Sequence, residues 1–299
     1  MSHPKLLLVD GYALAYRAYY ALPTLRNSLG QPTGAIYGFV KTLHKWIRDH
    51  EPTHLAIAFD LGPPVRLKEL PTYKAQRPPT PEDLESQTPL LKDWVRASRI
   101  PLLELHGHEA DDIIAVLALQ ADALHWQTLI ATNDKDLSQL VTGRTRILKP
   151  AGKKNEPDIL LDPAGVRARF GVSPRQIPDY LALLGDASDN IPGVKGVGPK
   201  TASGLIAKFG SLDALLNKPE KIENPVLREK ITSNADLLRR NLALVTLRTD
   251  LPLDSKLDEL KLADPDYGRL IPFLERLGSK SLLAEAHARQ QKSAQPTLL

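Results

Sequence analysis

The chain has 299 residues, 42% of them hydrophobic, no cysteine, and 39 basic against 35 acidic side chains, a formal charge of +4. That apolar content suffices for one large core or two smaller ones. The lack of cysteine excludes disulfides and thiolate metal sites, and no apolar run approaches the roughly 20 residues of a membrane span, so a cytoplasmic protein with a surface of mixed charge is expected.

The opening "MSHPKLLLVDG" has a short apolar run that meets Asp10 and lacks a small-residue cleavage site, so it reads as a first strand and not as a signal peptide. "KLLLVD" (5–10), "HLAIAFD" (54–60), "QTLIATND" (127–134) and "TRILKP" (145–150) are continuous apolar runs, the pattern of strands covered on both faces. Between the first two, Ile36, Phe39, Val40, Leu43, Trp46 and Ile47 recur at helical spacing. Residues 61–89 carry seven prolines and read as irregular. Residues 109–124 form another helix. This alternation predicts an α/β domain over 1–170 with a mostly parallel sheet. After about residue 160 the strand signals fade, and "DPAGVRARFG", "SPRQIPDYLALLG", "GPKTASGLIAKFG", "SLDALLN" and "PVLREKITSNADLLRRNLALVTL" predict a helical region over 171–290. Ser173 and Ser211 sit at N-cap positions and Pro199 at a first helical position. The polar end, 287–299, is expected to be a flexible tail.

The strands share one feature: they end in acids. Asp10, Asp60, and the pair Asp134 and Asp136 follow apolar runs; Glu109, Asp111 and Asp112 open a helix after "IPLLEL"; "GDASDN" adds Asp186 and Asp189. Each acid alone also fits a turn former, an N-cap or a partner of a helix dipole. Together they carry a stronger implication, because ligands of open parallel sheets sit at the carboxyl ends of strands. Nine acids converging there would repel without a cation. An all-oxygen donor set without Cys or His suits Mg²⁺ or Mn²⁺ rather than Zn²⁺, and two such ions would serve phosphodiester hydrolysis. Two other readings fail. "DKDLSQLVTGRT" has Gln139 where a calcium loop needs Gly, and "LLLVDGYA" has Tyr12 where an aspartyl-phosphate enzyme needs a second Asp. Setting the nine acids aside leaves 26 acidic against 39 basic side chains, a balance of +13 that suits nucleic acid.

"NIPGVKGVGPKTA" (190–202) has the wrong spacing for a dinucleotide fingerprint and lies among helices. It reads as a tight turn built on Gly193, Gly196 and Gly198, with the helix start at Pro199 and the cations Lys195 and Lys200 offered to phosphate. The alternative is a structural glycine turn between packed helices. "GPPVRLKELPTYKAQRPPTPEDLESQ" (62–87) places Arg66, Lys68, Lys74 and Arg77 around Tyr73. A basic loop with an aromatic can hold single-stranded nucleic acid; the bland alternative is a solvated connector.

The stretches "LLLVDGYALAYRAYYAL", "AIAFD", "TYKAQR", "EADDIIA", "TNDKDLSQL" and "LLGDASDNIPGVKGVGPKTA", in this order over residues 6 to about 210, resemble the 5′-nuclease (flap endonuclease) family, which includes the N-terminal 5′→3′ exonuclease domain of bacterial DNA polymerase I and stand-alone relatives. The resemblance implies a PIN-like fold with a central sheet, a helical arch over 61–89, and a helix–hairpin–helix over 185–209 that grips duplex DNA. It implies a first metal on Asp10, Asp60, Glu109 and Asp111, and a second on Asp111, Asp134, Asp136 and Asp186, with Asp112 and Asp189 in support. Lys74 and Arg77 would face the scissile phosphate, Tyr73 would stack on a terminal base, and Arg17 would contact phosphate. Arg66, Lys68, Gly193, Lys195, Gly196, Gly198, Lys200 and Thr201 would contact DNA, and carbonyls at Val194 and Val197 would hold K⁺. Pro199 stands where many relatives carry Glu, a change compatible with a helix start. The implied activity is Mg²⁺- or Mn²⁺-dependent 5′→3′ exonuclease and 5′-flap endonuclease cleavage of branched or 5′-ended DNA in primer removal and repair. The expected form is a monomer, alone or within a larger polymerase chain. The rival readings are a DNA-binding module without chemistry and a ribonuclease with the same acidic core.

Overall fold

The computed structural model describes residues 3–151 and 156–294. In chain order its strands and helices are β1 (Lys5–Asp10), α1 (Gly11–Ala21), α2 (Gly34–His50), β2 (His54–Ala58), α3 (Glu82–Glu85), α4 (Thr88–Ala97), β3 (Leu102–Leu103), α5 (Ala110–Ala123), β4 (Gln127–Ala131), β5 (Thr145–Lys149), β6 (Ile159–Leu161), α6 (Pro163–Phe170), α7 (Ile177–Leu184), β7 (Gly185–Asp186), β8 (Ile191–Pro192), α8 (Pro199–Phe209), α9 (Leu212–Asn217), α10 (Pro225–Ser233), α11 (Ala235–Val245), α12 (Tyr267–Leu277) and α13 (Lys280–Ala294).

A six-stranded sheet in the order β3-β2-β1-β4-β5-β6 organises the molecule, parallel except for β6, which runs antiparallel to β5. The period of two along β1 divides the core. Leu6 and Leu8, with Ala56, Ala58, Ile130 and Ile147, face α5 and the helices α6–α11. Leu7 and Val9, with Leu55, Ile57, Leu129 and Leu148, face α1, α2, α4, α12 and α13. All four β1 side chains are at most 1% exposed, and burial of such a residue is worth about 1.5–3 kcal/mol. The apolar stripe of α2 is likewise buried, with Phe39, Leu43 and Trp46 at 0–1% exposure.

The second half is helical, but it divides between the two faces: α12 and α13 return to pack on the side of α2 and α4. The expected tail is also corrected. Residues 287–294 continue α13, and Leu282 and Ala286 bury its first turns; 295–299 lie outside the described residues. Residues 61–89 do not form a long arch helix. They hold a 3-10 turn at Val65–Lys68, a run of turns, the four-residue α3 and the start of α4, because prolines at 63, 64, 71, 78, 79 and 81 interrupt any longer helix. Among the described residues, no helix is long and apolar enough to cross a membrane.

Candidate active site

The parallel register places the acids. β1 lies between β2 and β4, so Asp10, paired with Ala58, stands beside the exits of both neighbours. Its carboxylate caps α1, accepting from the Ala13 amide at 2.9 Å, and accepts from the Thr132 hydroxyl at 3.2 Å. Asp60, past the end of β2, accepts from the Ala110 amide at 2.7 Å and thereby ties that strand to the start of α5, where Glu109, Asp111 and Asp112 lie. Asp134 accepts from the Asp136 amide at 2.9 Å in the turn after β4. Asp10, Asp60, Glu109, Asp111 and Asp134 line one pocket of about 410 Å³, with Lys74, Arg77, Lys135 and Arg169 at its border. Two groups have carboxylate oxygens within 4.8 Å of one another: Glu109, Asp111 and Asp112, and Asp136, Asp186 and Asp189. Acids from five segments of the chain thus come together.

Arg66 is a correction. Expected on DNA, it is 3% exposed and lies under the acids. Its guanidinium donates to Glu109 at 2.7 Å, holds both oxygens of Asp112 at 2.7 Å, and donates to the Leu244 carbonyl at 3.0 Å. Asp112 also accepts from the Arg248 amide at 2.9 Å, so its oxygens are engaged by protein. Tyr73, expected to stack on a base, is 4% exposed, and its hydroxyl donates to Asp189 at 2.9 Å and to Glu109 at 3.1 Å. Its ring packs in the apolar core, which leaves no face for a base. Lys74 pairs with Glu109, Arg77 with Asp189 at 2.7 Å, and Lys135 with Asp186 at 3.0 Å. Arg17 donates to the Ala151 carbonyl. Lys68 is exposed.

These pairings sort the acids electrostatically. Burial raises Glu109, but Lys74 and Arg66 outweigh it and hold its pKa below the usual value; burial raises Asp186 too, and the Ser188 hydroxyl and Lys135 outweigh it. Burial pushes Asp10 up to about 7, aided by Asp60 and Asp134. Burial likewise raises Asp60, with Glu109 adding to it, and Asp134, with Asp189 adding to it. Asp111 stands well above the usual carboxylate range through burial and the neighbouring Asp112, and Asp136 does so through burial and Asp134. One Asp136 oxygen is buried without any hydrogen-bond partner. Carboxylates around one cavity whose pKa values burial raises, with the orphaned Asp136 oxygen in the neighbouring acidic cluster, are a site short of positive charge. Their oxygen-only donors fit a hard divalent cation.

The glycine-rich hairpin is joined directly to this cluster. β7 and β8 pair antiparallel, Gly185 to Pro192 and Asp186 to Ile191, so Asp186 and Asp189 belong to the link that leads into the hairpin. A Cβ on Gly193 would lie 1.9 Å from the Leu184 carbonyl oxygen, and one on Gly185 would lie 2.3 Å from the Gly193 nitrogen; the two backbones cross without room for a side chain. Lys195, Gly196 and Lys200 are exposed; Gly198 and Thr201 are half-buried at the start of α8. Val194 and Val197 are buried, and the Val194 carbonyl accepts from the Val197 amide at 3.0 Å. Arg169, Lys149 and Asn241 escaped the sequence reading. Asn241, on α11 and fully buried, donates to the Ala182 carbonyl at 3.0 Å and to that of Pro192 at 2.7 Å, clamping α7 to β8. Nothing in its sequence surroundings marks it.

Comparison with known proteins bears on this arrangement. The family described as "5'-3' exonuclease, N-terminal resolvase-like domain" matches residues 5–171, and "5'-3' exonuclease, C-terminal SAM fold" matches 172–268. The chain belongs to the 5′–3′ exonuclease family. A 5′–3′ exonuclease of Aquifex aeolicus is 38% identical over 294 residues, covering 98% of this chain and 99% of the relative. The thermostable DNA polymerase I of Thermus aquaticus is 43% identical over 281 residues, covering 94% of this chain, which spans about a third (33%) of that relative's length. Among solved structures, the phage T5 5′-exonuclease with bound zinc superposes with a TM-score of 0.67 at 22% identity, covering 97% of this chain and all (100%) of the other. The catalytic core of Rad2 in complex with DNA substrate gives 0.62 at 20% identity, covering 95% and 92%. The exonuclease family fold, a mostly parallel sheet followed by a helical half, is the one found here.

Proposed function

We propose that the chain is a divalent-metal-dependent 5′-nuclease that cuts branched or 5′-ended DNA. The observation that carries this reading is a single pocket holding Asp10, Asp60, Asp111 and Asp134, of which only Asp111 has a cationic partner among the described residues, the distant Arg66 at 4.0 Å, one short link away from an exposed Lys–Gly hairpin. Asp10, Asp60, Glu109 and Asp111 would hold one Mg²⁺ or Mn²⁺ ion, and Asp111, Asp134, Asp136 and Asp186 a second, with Asp189 in support. Such ions, when bound, neutralise the carboxylates and activate water toward a phosphodiester. The chain's own groups do the rest. Arg66 keeps Glu109 ionised and fixes its position through Asp112, and Tyr73 steadies both Glu109 and Asp189. Lys74 and Arg77, at the pocket border, meet the phosphate that enters it. Gly193, Lys195, Gly196, Gly198, Lys200 and Thr201 would dock duplex backbone, with K⁺ bound at the hairpin carbonyls of Val194 and Val197 and Arg17 and Lys68 adding positive field.

The family membership and the full-length match to an exonuclease support 5′→3′ cleavage by residues 1–170 with 171–290 as the DNA-gripping region. The match to polymerase I supports a role in primer removal and repair, in the cytoplasm beside the chromosome, as a monomer or as one part of a polymerase chain. The test is product mapping on a labelled 5′-flap duplex during Mg²⁺ and Mn²⁺ titrations. Cutting near the branch is expected, and Asp134→Ala should abolish it while binding in Ca²⁺ stays near normal. Binding without cleavage in either metal would leave the DNA-binding-module reading in its place. A flap of RNA cut in preference to DNA would favour the ribonuclease.

A further inference from the structure

The cations around the acidic pocket fall into two groups. Lys74, Arg77 and Lys135 are each bonded to a carboxylate. Arg169 lines the same pocket as Asn133, Asp134 and Ser188 and has neither an ion pair nor a hydrogen bond among the described residues. Its guanidinium lies 5.2 Å from the Phe170 ring centre, which restrains it without neutralising it. Lys149, the last residue of β5, is 8% exposed, and its side chain makes no hydrogen bond or ion pair among the described residues.

The topology brings the two together. β6 leaves the end of β5 and runs back along it, Ile159 against Lys149 and Leu161 against Ile147, a descent of about 10 Å for three residues. The eight residues of α6 then climb about 12 Å and return the chain to the carboxyl edge of the sheet at Arg169. The proximity shows in Lys149 itself, whose pKa is lowered by burial and by the charge of Arg169, with Asp134 opposing. Arg169 by itself suits the last turn of α6, where a cation complements the helix dipole. That does not account for Lys149, since a largely buried lysine side chain with no bonded carboxylate and a second cation as neighbour is an arrangement that an anion relieves.

We propose that Lys149 and Arg169 form a phosphate-binding subsite at the edge of the acidic pocket, gripping one phosphodiester of the bound strand. The proposal rests on the nuclease reading, and its test uses binding in Ca²⁺ so that the two stand or fall separately. Arg169→Met should weaken binding of a 5′-flap duplex about tenfold and make the log–log salt dependence shallower by about one. Arg169→Lys should restore most of the affinity. Lys149→Met should weaken binding while leaving the thermal unfolding midpoint unchanged or higher, because it removes a charge that no carboxylate bonds and keeps the packed stem; a purely structural lysine would lower the midpoint. Neutral methylphosphonates placed singly around the branch should reveal one position that costs the wild-type protein affinity and costs Arg169→Met none. Equal affinity and salt slope for Arg169→Met, or a methylphosphonate profile identical in the two proteins, would overturn the subsite. A wild-type protein that binds flap DNA and does not cut it in Mg²⁺ or Mn²⁺ would refute the nuclease reading alone.

Discussion

Replacing Arg66 by Met removes the positive charge that three carboxylate bonds and one carbonyl bond converge on. Met reproduces the aliphatic stem as far as Nε, so the loss is mainly electrostatic, with a small cavity where the rest of the guanidinium lay. Glu109 retains Lys74 and Asp112 retains the Arg248 amide, and both acids stay buried at 4% and 1% exposure. Breaking a buried pair from one side costs about 3–5 kcal/mol, and these residual partners place the expected loss near the lower end, about 3 kcal/mol at neutral pH. The pH dependence gives the sharper check. In the wild-type protein Glu109 is held below its usual pKa, so its stabilisation is present above the unfolded value and lost as pH falls through the folded one. In the variant, Glu109 is buried with too little positive charge, its pKa rises, and the penalty fades as pH is lowered from 7 toward 4. Urea unfolding of both proteins in EDTA at a series of pH values measures this. Adding Asp112→Leu to Arg66→Met should recover much of the loss, because it removes the orphaned charge. A single-variant loss below about 1 kcal/mol, or a loss that grows on acidification, would refute the placement of Arg66 as the internal counter-charge.

Asp10 follows the opposite sign. Its folded pKa of about 7 lies above the ordinary value of 3.8, so it costs metal-free stability progressively as pH rises between those values. Asp10→Asn keeps an oxygen for the Ala13 amide and should therefore stabilise the metal-free protein by up to about 4 kcal/mol at pH 8 and by nothing near pH 4, while abolishing cleavage; parallel stability–pH curves would count against it. Lys195→Ala combined with Lys200→Ala should weaken duplex binding in Ca²⁺ and reduce the salt slope by about two, and an unchanged slope would remove the hairpin from the phosphate contacts.

The acids at strand ends were readable because a buried parallel strand is an uninterrupted apolar run, and the residue that breaks the run must lie at the edge of the sheet. Asp10 and Asp60 needed no more than that, and the spacing of Glu109, Asp111 and Asp112 ahead of an apolar helix added the next element. What the sequence concealed was the counter-charge. Arg66 sits in a polar, proline-broken stretch that looks solvated, and only the docking of that stretch against α5 and the end of α11 buries it. Tyr73 misled for the same reason. The short strands β6, β7 and β8 carry too few residues to show a period, so the return path that lifts Arg169 to the pocket had no local signal. The polar composition of 287–294 suggested a tail because α13 buries only its first turns, through Leu282 and Ala286.

The crossing of Gly185 and Gly193 bears on how this enzyme can be divided. The two family segments meet between residues 171 and 172, yet Asp186 and Asp189 lie downstream of that junction and complete a cluster begun by Asp136. A fragment ending at the junction would keep the sheet and the upstream carboxylates and lose the two acids that group with Asp136. Shuffling of modules between relatives that is to keep this cluster therefore has to carry the stretch through Gly193 along with the sheet, since the seam visible in the linear order runs through the acidic cluster.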